Sequence, residues 1–273
     1  PLAATLAVSR GQFKLTGEAR MMERPIGPLT EALKELGLRI EYLNNDGYPP
    51  LLIRGTQPTK HETSIDGSLS SQFISALLMT APVCGGLKIK VEGDLISKPY
   101  VDLTVALIEK FGAKVKRRGY TEFEVEGTGY TSPGTYLIEG DASGATYFAA
   151  AAAVCGKVEI YGVGANSLQG DALFFDVLAK MGAKVKRLEN SVIVEKGELQ
   201  GVEIDLNNMP DAAMTLVPLA MYTKGPVTIT NIASWRIKET DRIEALATEM
   251  RKLGVKVDAG SDYISVDASV RNH

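Results

Sequence analysis

The sequence predicts an α/β (α+β) fold built from repeated βαβαββ units in two domains. Three observations carry this. Four helical patterns each end in a glycine, and those glycines, Gly37, Gly112, Gly182 and Gly254, lie 75, 70 and 72 residues apart. A pair of short strand patterns follows each glycine. A second, more apolar helix type alternates with the first. Self-similarity at a fixed period is the mark of a repeated supersecondary unit.

Each helix of the first type places its apolar residues on one face. Leu29, Ala32, Leu33 and Leu36 fall at helical spacing, as do Leu103, Leu107 and Phe111; then Phe174, Val177, Leu178 and Met181; then Ile243, Leu246, Met250 and Leu253. One stripe of this kind seats a helix on a core. The closing glycine then serves as a C-cap that takes positive φ without strain. A first strand is expected after each glycine, as at Ala113 to Val115 and Ala183 to Val185. A second is expected at Leu51 to Ile53, Phe123 to Val125, Val192 to Val194 and Ile264 to Val266. Asn45-Asp46-Gly47 reads as a turn. Helices of the second type are expected over Ser70 to Val83, Ser143 to Val154 and Asp211 to Tyr222, followed by strands at Leu87 to Val91, Val158 to Tyr161 and Val227 to Thr230. A unit of about 70 residues is too small to bury both of its helices alone, so units packed helix to helix are expected. The domain boundary is placed near Leu137 to Gly140, giving domains 1–139 and 140–273.

The composition is that of an ordinary globular protein: 273 residues, 45% hydrophobic and 23% charged. The most apolar run, Phe148 to Cys155, is too short to span a bilayer, and no signal peptide is legible at the N-terminus. A cytoplasmic location without membrane contact is expected. The chain opens on Pro1-Leu2-Ala3-Ala4 without a methionine, as if cut from something longer or processed. A formal net charge of −3 argues against general nucleic-acid binding. Cys84 and Cys155 each precede a glycine after an apolar run and read as buried, reduced thiols. No metal spacing is present. With His61 and His273 the only histidines, a histidine-based triad is not expected.

The chemistry concentrates where helices begin. Free backbone N–H groups and the positive end of the helix dipole favour anions there. Serine at such a place is equally an ordinary N-cap. Arg24 and Arg242 read as cations at helix N-termini, where they oppose the dipole. Either a bound anion or a neighbouring carboxylate must compensate them, and Glu23 and Glu239 are candidates for the second. Lys238, Glu239 and Arg242 form a dense charged cluster after Trp235.

Seven stretches, in order, closely resemble the 5-enolpyruvylshikimate-3-phosphate synthase family. They are Leu15–Glu18 through Arg24–Gly27, Asp66–Phe73, Ser97–Tyr100, Glu139–Ser143, Asn166–Asp171, Pro210–Thr215 and Trp235–Arg242. The resemblance implies two domains of βαβαββ units, and transfer of the enolpyruvyl group of phosphoenolpyruvate to the 5-hydroxyl of shikimate 3-phosphate, with release of phosphate and without a metal or organic cofactor. By the same resemblance Ser70, Ser71 and Ser97 hold the shikimate phosphate, with Tyr100 beside the ring and Lys238 touching this substrate. Gln72 and Arg24 reach phosphoenolpyruvate, Arg24 at its phosphate, and Arg242 binds its carboxylate. Asp211 accepts the hydroxyl proton, and Glu239 moves a proton at the methylene. Ser234 stands where the family commonly has asparagine, which weakens one contact to shikimate 3-phosphate. The family chain continues at both ends with further substrate-binding cations, so this chain alone is expected to be inactive or nearly so, with a complementing chain as a possible partner. Two alternatives remain open. One is the UDP-N-acetylglucosamine enolpyruvyl transferase family, whose reactive cysteine aligns with Ala19. The other is a non-catalytic core.

Overall fold

The structure, a computed structural model, describes residues 1–271; His273 lies outside the described residues. The chain divides between Tyr136 and Leu137 into two compact units.

The first unit opens with α1 (Leu2–Val8), β1 (Gly11–Leu15), α2 (Ala19–Met22), α3 (Gly27–Glu35), β2 (Arg39–Tyr42) and β3 (Leu51–Gly55). It continues through one complete repeat: β4 (Glu62–Asp66), α4 (Ser71–Thr80), β5 (Gly86–Glu92), α5 (Lys98–Lys110), β6 (Val115–Arg118) and β7 (Glu122–Glu126). Its sheets run β1-β3-β2 and β4-β5-β7-β6. Only β4 and β5 pair in parallel in these sheets; the other neighbours are antiparallel. Leu87, Ile89 and Val91 alternate inward along β5 while Lys88 and Lys90 point outward, the two-residue period of a half-buried strand. The core gathers Leu29, Leu33 and Leu36 from the α3 segment, Ile74, Leu77 and Leu78 from α4, and Phe123 from β7.

The second unit repeats the plan. It contains α6 (Ala142–Cys155), β8 (Lys157–Tyr161), α7 (Phe174–Met181), β9 (Lys184–Arg187) and β10 (Ser191–Glu195). The complete repeat follows: β11 (Gln200–Asp205), α8 (Leu216–Leu219), β12 (Lys224–Thr230), α9 (Arg242–Lys252), β13 (Val255–Ala259) and β14 (Ile264–Arg271). The sheets run β8-β10-β9 and β11-β12-β14-β13, with β11 and β12 parallel. Phe174, Phe175, Leu178, Trp235, Ile243 and Met250 belong to the core of this unit.

The repeated glycines behave as the spacing predicts. Gly37, Gly112, Gly182 and Gly254 follow α3, α5, α7 and α9 with φ of 87°, 84°, 114° and 74°. After α3 the Gly37 N–H bonds the Lys34 carbonyl at 2.8 Å and the Leu38 N–H bonds the Leu33 carbonyl at 3.1 Å. This is a Schellman closure, which satisfies carbonyls that a helix end leaves open. The same pair of bonds ends α5 and α7.

Three expectations need correction. The helix expected over Asp211 to Tyr222 is broken into a 3₁₀ turn (Ala212–Thr215), α8 and a second 3₁₀ turn (Ala220–Tyr222). Pro218 sits in its middle, where it removes a backbone donor and crowds the preceding turn. The helix expected to reach Val83 stops at Thr80 and tightens into a 3₁₀ turn (Ala81–Val83) containing Pro82. Cys155 is exposed, whereas Cys84 is buried and its thiol is pushed up to about 11 by burial.

Gly182 and Gly225 both have positive φ, but a Cβ on Gly182 would lie 2.5 Å from the Glu198 carbonyl oxygen, while one on Gly225 meets nothing within 4 Å. Gly225→Ala is therefore expected to cost about 1–2 kcal/mol through backbone conformation alone. Gly182→Ala is expected to cost clearly more, read as the larger shift in equilibrium denaturation midpoint.

Candidate active site

In the first unit the parallel pairing of β4 with β5 sets Asp66 opposite Glu92, so the two connections into α4 and α5 leave the same sheet edge. They are stitched together by Gly67 N–H to the Glu92 carbonyl (2.9 Å) and Ile96 N–H to the Gly67 carbonyl (3.2 Å). A Cβ on Gly67 would come within 2.8 Å of the Val91 side chain and 3.1 Å of the Leu95 Cα, so this approach requires glycine. Asp66 accepts the Ser68 N–H at 2.8 Å, and hydrogen bonds from Ser68 hold its carboxyl below the usual range.

Ser70 is the N-cap of α4, its hydroxyl accepting the Gln72 N–H at 3.3 Å. Ser71 is buried and Gln72 is exposed. Ser97 opens α5 in the left-handed region (φ 53°, ψ 44°) and is buried. A non-glycine residue pays ~1–2 kcal/mol for that conformation. The Tyr100 N–H bonds the Ser97 carbonyl at 3.2 Å, Thr104 donates to the Tyr100 carbonyl at 2.7 Å, and the Thr104 and Ser75 hydroxyls meet at 2.8 Å. The starts of α4 and α5 are thus one assembly carrying Ser70, Ser71, Gln72, Ser97 and Tyr100. Arg24 differs from the sequence reading. It lies in the link between α2 and α3, before the first helical residue, Gly27, and Glu23 takes Arg20 as a partner at 3.0 Å.

The second unit holds the charged cluster. Parallel β11 and β12 set Asp205 opposite Thr230. Asp205 accepts from the Asn207 N–H and the Asn231 amide, both at 2.9 Å, binding the two following loops. Trp235 lies in a 3₁₀ turn (Ala233–Ile237), is fully buried, and donates its indole N–H to the Pro210 carbonyl at 2.8 Å. That bond ties the turn to the residue before Asp211. Arg236 next to it holds the Ser261 and Gly260 carbonyls and the Asp241 carboxylate. Asp241 in turn caps α9 by accepting the Glu244 N–H at 3.1 Å.

These ties bring Asp211, Glu239 and Arg242 together. Arg242, the first residue of α9, bonds Asp211 Oδ1 at 2.5 Å and Glu239 Oε2 at 3.0 Å. Its side chain is only 13% exposed, against 38% for Asp211 and 65% for Glu239. Burial lowers the pKa of such a guanidinium, but the two carboxylates outweigh it and hold Arg242 above its ordinary value. A cation at a helix N-terminus is therefore balanced by side chains of the protein itself, Glu239 as expected and Asp211 in addition. Ser234, half-buried, lies in the Trp235 turn, and Lys238 follows that turn directly.

A second network escaped sequence reading. Glu139 accepts from the Ser167 hydroxyl (2.5 Å), the Leu168 N–H (3.1 Å) and the Gln169 amide (3.1 Å). The Gln169 amide oxygen accepts the Ala142 N–H at 3.0 Å, and Ser143 bonds buried Asp171. Thr146 then meets Thr215 hydroxyl to hydroxyl at 2.7 Å. The starts of α6 and α7 and the turn after Asp211 are so joined. The available signal was that Glu139 and Gln169 both stand inside stretches that carry the family resemblance, yet the resemblance gives them no role. Burial alone would raise the Glu139 pKa, but its three donors bring it below the ordinary value. A depressed folded pKa contributes stability above the unfolded pKa, near 4.5, that is lost as pH falls through the folded value. Glu139→Gln is expected to be less stable than wild type at pH 7, with the gap closing below about pH 4 in denaturant melts across pH.

The profile of the EPSP synthase (3-phosphoshikimate 1-carboxyvinyltransferase) family matches residues 1–272. The chain is 51% identical over 270 residues to the 3-phosphoshikimate 1-carboxyvinyltransferase of Vibrio atlanticus (strain LGP32), covering 98% of this chain and 63% of that protein. It is 52% identical over 271 residues to that of Histophilus somni (strain 2336), covering 97% and 63%. The fold is similar to EPSP synthase from Acinetobacter baumannii (TM-score 0.75, 24% identity, 99% of this chain and 62% of that one). It is also similar to the enolpyruvyl transferase NikO from Streptomyces tendae (TM-score 0.72, 19% identity, 97% and 62%). The chain spans about 63% of the length of the curated relatives it matches. On this evidence the chain belongs to the EPSP synthase family.

Proposed function

We propose that this chain is the substrate-holding core of a 3-phosphoshikimate 1-carboxyvinyltransferase and acts in the cytoplasm. The observation that carries the reading is the convergence of Asp211, Glu239 and Arg242. In this reading residues 1–139 form the shikimate 3-phosphate side, and residues 140–273 carry the Asp211 carboxylate and the Lys238 to Arg242 cluster.

Ser70, Ser71 and Ser97 supply hydroxyls, and the α4 and α5 starts supply N–H groups, to the phosphate of shikimate 3-phosphate. Tyr100, Ser234 and Lys238 contact the same substrate. Arg24 and Gln72 hold phosphoenolpyruvate. Arg242 exchanges its own carboxylate partners for the carboxylate of phosphoenolpyruvate, a planar fork meeting a planar anion. That exchange frees Asp211 to take the 5-hydroxyl proton as the oxygen attacks the carbon bearing the phosphate. Glu239 delivers a proton to the methylene. Removal of a proton from the resulting methyl group, with departure of phosphate, regenerates the double bond. Each carboxylate works by positioned general acid or base catalysis, worth about 10²–10⁴-fold. The family match is to the shikimate enzyme rather than to the UDP-N-acetylglucosamine transferase.

Because the chain spans only 63% of its relatives, full activity in this reading needs further polypeptide carrying the remaining cations. The test is phosphate release from the two substrates, with the chain alone and co-expressed with the segments of the Vibrio atlanticus relative that lie outside the match. The chain alone is expected to stay at background. The complemented chain is expected to turn over, and Asp211→Asn is expected to lower that rate at least 100-fold. Family-like turnover by the chain alone contradicts the need for complementation. Complemented chain that releases no phosphate contradicts the assigned activity.

A further inference from the structure

Two threonine hydroxyls meet in the interior of the second unit. Thr146 is fully buried on α6, and Thr215, 4% exposed, closes the 3₁₀ turn that Asp211 opens. Their oxygens lie 2.7 Å apart across 69 residues of sequence. The direction of the bond follows from the neighbours. Thr146 gives its hydrogen to the Ser143 carbonyl at 2.6 Å, so in the pair Thr215 donates and Thr146 accepts. A threonine in a helix commonly turns its hydroxyl back onto its own helix, as Thr30, Thr80 and Thr104 do here. Thr146 follows that habit. Thr215 instead reaches across to another element.

The element it reaches is held firmly. Asp141 caps α6 by accepting the Ser143 N–H at 3.0 Å, Ser143 donates its hydroxyl to buried Asp171, and the Ser143 carbonyl holds Thr146. One residue of the first turn is thus bonded through its N–H, its hydroxyl and its carbonyl. The turn that follows Asp211 is built differently. Ala212 and Ala213 bring only buried methyl groups, and the bond from the Ala213 N–H to the Met209 carbonyl, at 3.0 Å, stays within the same stretch. Buried bonds to other elements grip this stretch at both ends: the Trp235 indole on the Pro210 carbonyl, and the Thr215 hydroxyl on Thr146.

We propose that Thr146 and Thr215 are positioning residues, whose hydroxyl pair sets the direction in which the Asp211 carboxylate meets Arg242. The inference rests on the role proposed above for Asp211 and adds what aims it. Both threonines are shut off from water, so deleting one hydroxyl leaves its partner unsatisfied. A general base works only within hydrogen-bond reach of the proton it takes, and a misplacement of about 1 Å costs on the order of 10²-fold in rate.

Thr215→Val keeps the branched shape and deletes the hydroxyl, whereas Thr215→Ser keeps the hydroxyl. The first experiment uses this chain alone. Denaturant melts of wild type, Asp211→Asn, Thr215→Val and the double variant form a closed cycle. Asp211→Asn is expected to lower the folding constant, and that loss is expected to shrink at least about threefold in the Thr215→Val background, where the carboxylate no longer faces Arg242. In the Thr215→Ser background the loss is expected to match wild type. Thr146→Val enters the pair from α6, with the same shrinkage expected, and carries the test if Thr215→Val does not fold. Equal losses in all backgrounds, or Thr215→Ser behaving as Thr215→Val, overturn the proposal. The second experiment measures phosphate release by the chain co-expressed with the outlying segments of the Vibrio atlanticus relative. Thr215→Val is expected to lower kcat at least about tenfold, with KM for both substrates within about twofold of wild type, and Thr215→Ser to restore it. An unchanged kcat overturns the positioning role. Complemented wild type that releases no phosphate counts against the assigned activity alone, and the cycle on the chain by itself then decides whether the pair aims Asp211.

Discussion

The architecture depends on one constraint, the parallel pairing of the first two strands in each complete repeat. Because β4 runs beside β5, and β11 beside β12, in the same direction, both connections of a pair leave the same sheet edge. Helix starts are thereby collected, and a collected set of helix starts is a set of free N–H donors and aligned dipoles. Antiparallel pairing would send one start to the opposite edge. The remaining strands are antiparallel and close each sheet without adding to this edge. In open α/β sheets, ligands sit beyond the carboxyl ends of parallel strands for the same reason.

An edge built this way favours anions, and the protein answers that tendency differently in its two units. In the first, capping hydroxyls at Ser70 and a left-handed Ser97 offer neutral donors, with Lys98 as the first residue of α5. In the second, Arg242 adds a cation to a helix start and is balanced by Asp211 and Glu239. The two carboxylates balance the largely covered guanidinium within the protein, and in the proposed function Arg242 trades them for the carboxylate of phosphoenolpyruvate. The Trp235 indole and the Arg236 fork hold the backbone on which this exchange depends.

Much of this was legible beforehand because it is local. The glycine closures follow from helical stripes that end at Gly37, Gly112, Gly182 and Gly254, and each has the expected positive φ. Ser70 and Ser97 were identifiable as helix openers from their neighbours. Several features were not local and stayed hidden. The edge strands β4 and β11 are short, and polar residues such as Glu62, Ser64, Glu203 and Asp205 mask their alternation. Pro218 breaks a helix whose apolar pattern is otherwise continuous. Arg242 was expected to find Glu239 three residues away, but its bond to Asp211 spans 31 residues of sequence. The Glu139–Gln169 network crosses a similar distance. Cys155 followed an apolar run and read as buried; its exposure is a property of packing, which the run does not encode.

The most direct measurement is a calorimetric titration of shikimate 3-phosphate into this chain without any complement. If the collected helix starts of the first unit already form the phosphate site, binding is saturable, and Ser70→Gly weakens it at least tenfold. Glycine keeps most of the N-cap preference while deleting the hydroxyl, so helix content and melting remain near wild type. No saturable binding, or binding that Ser70→Gly leaves unchanged, contradicts the account.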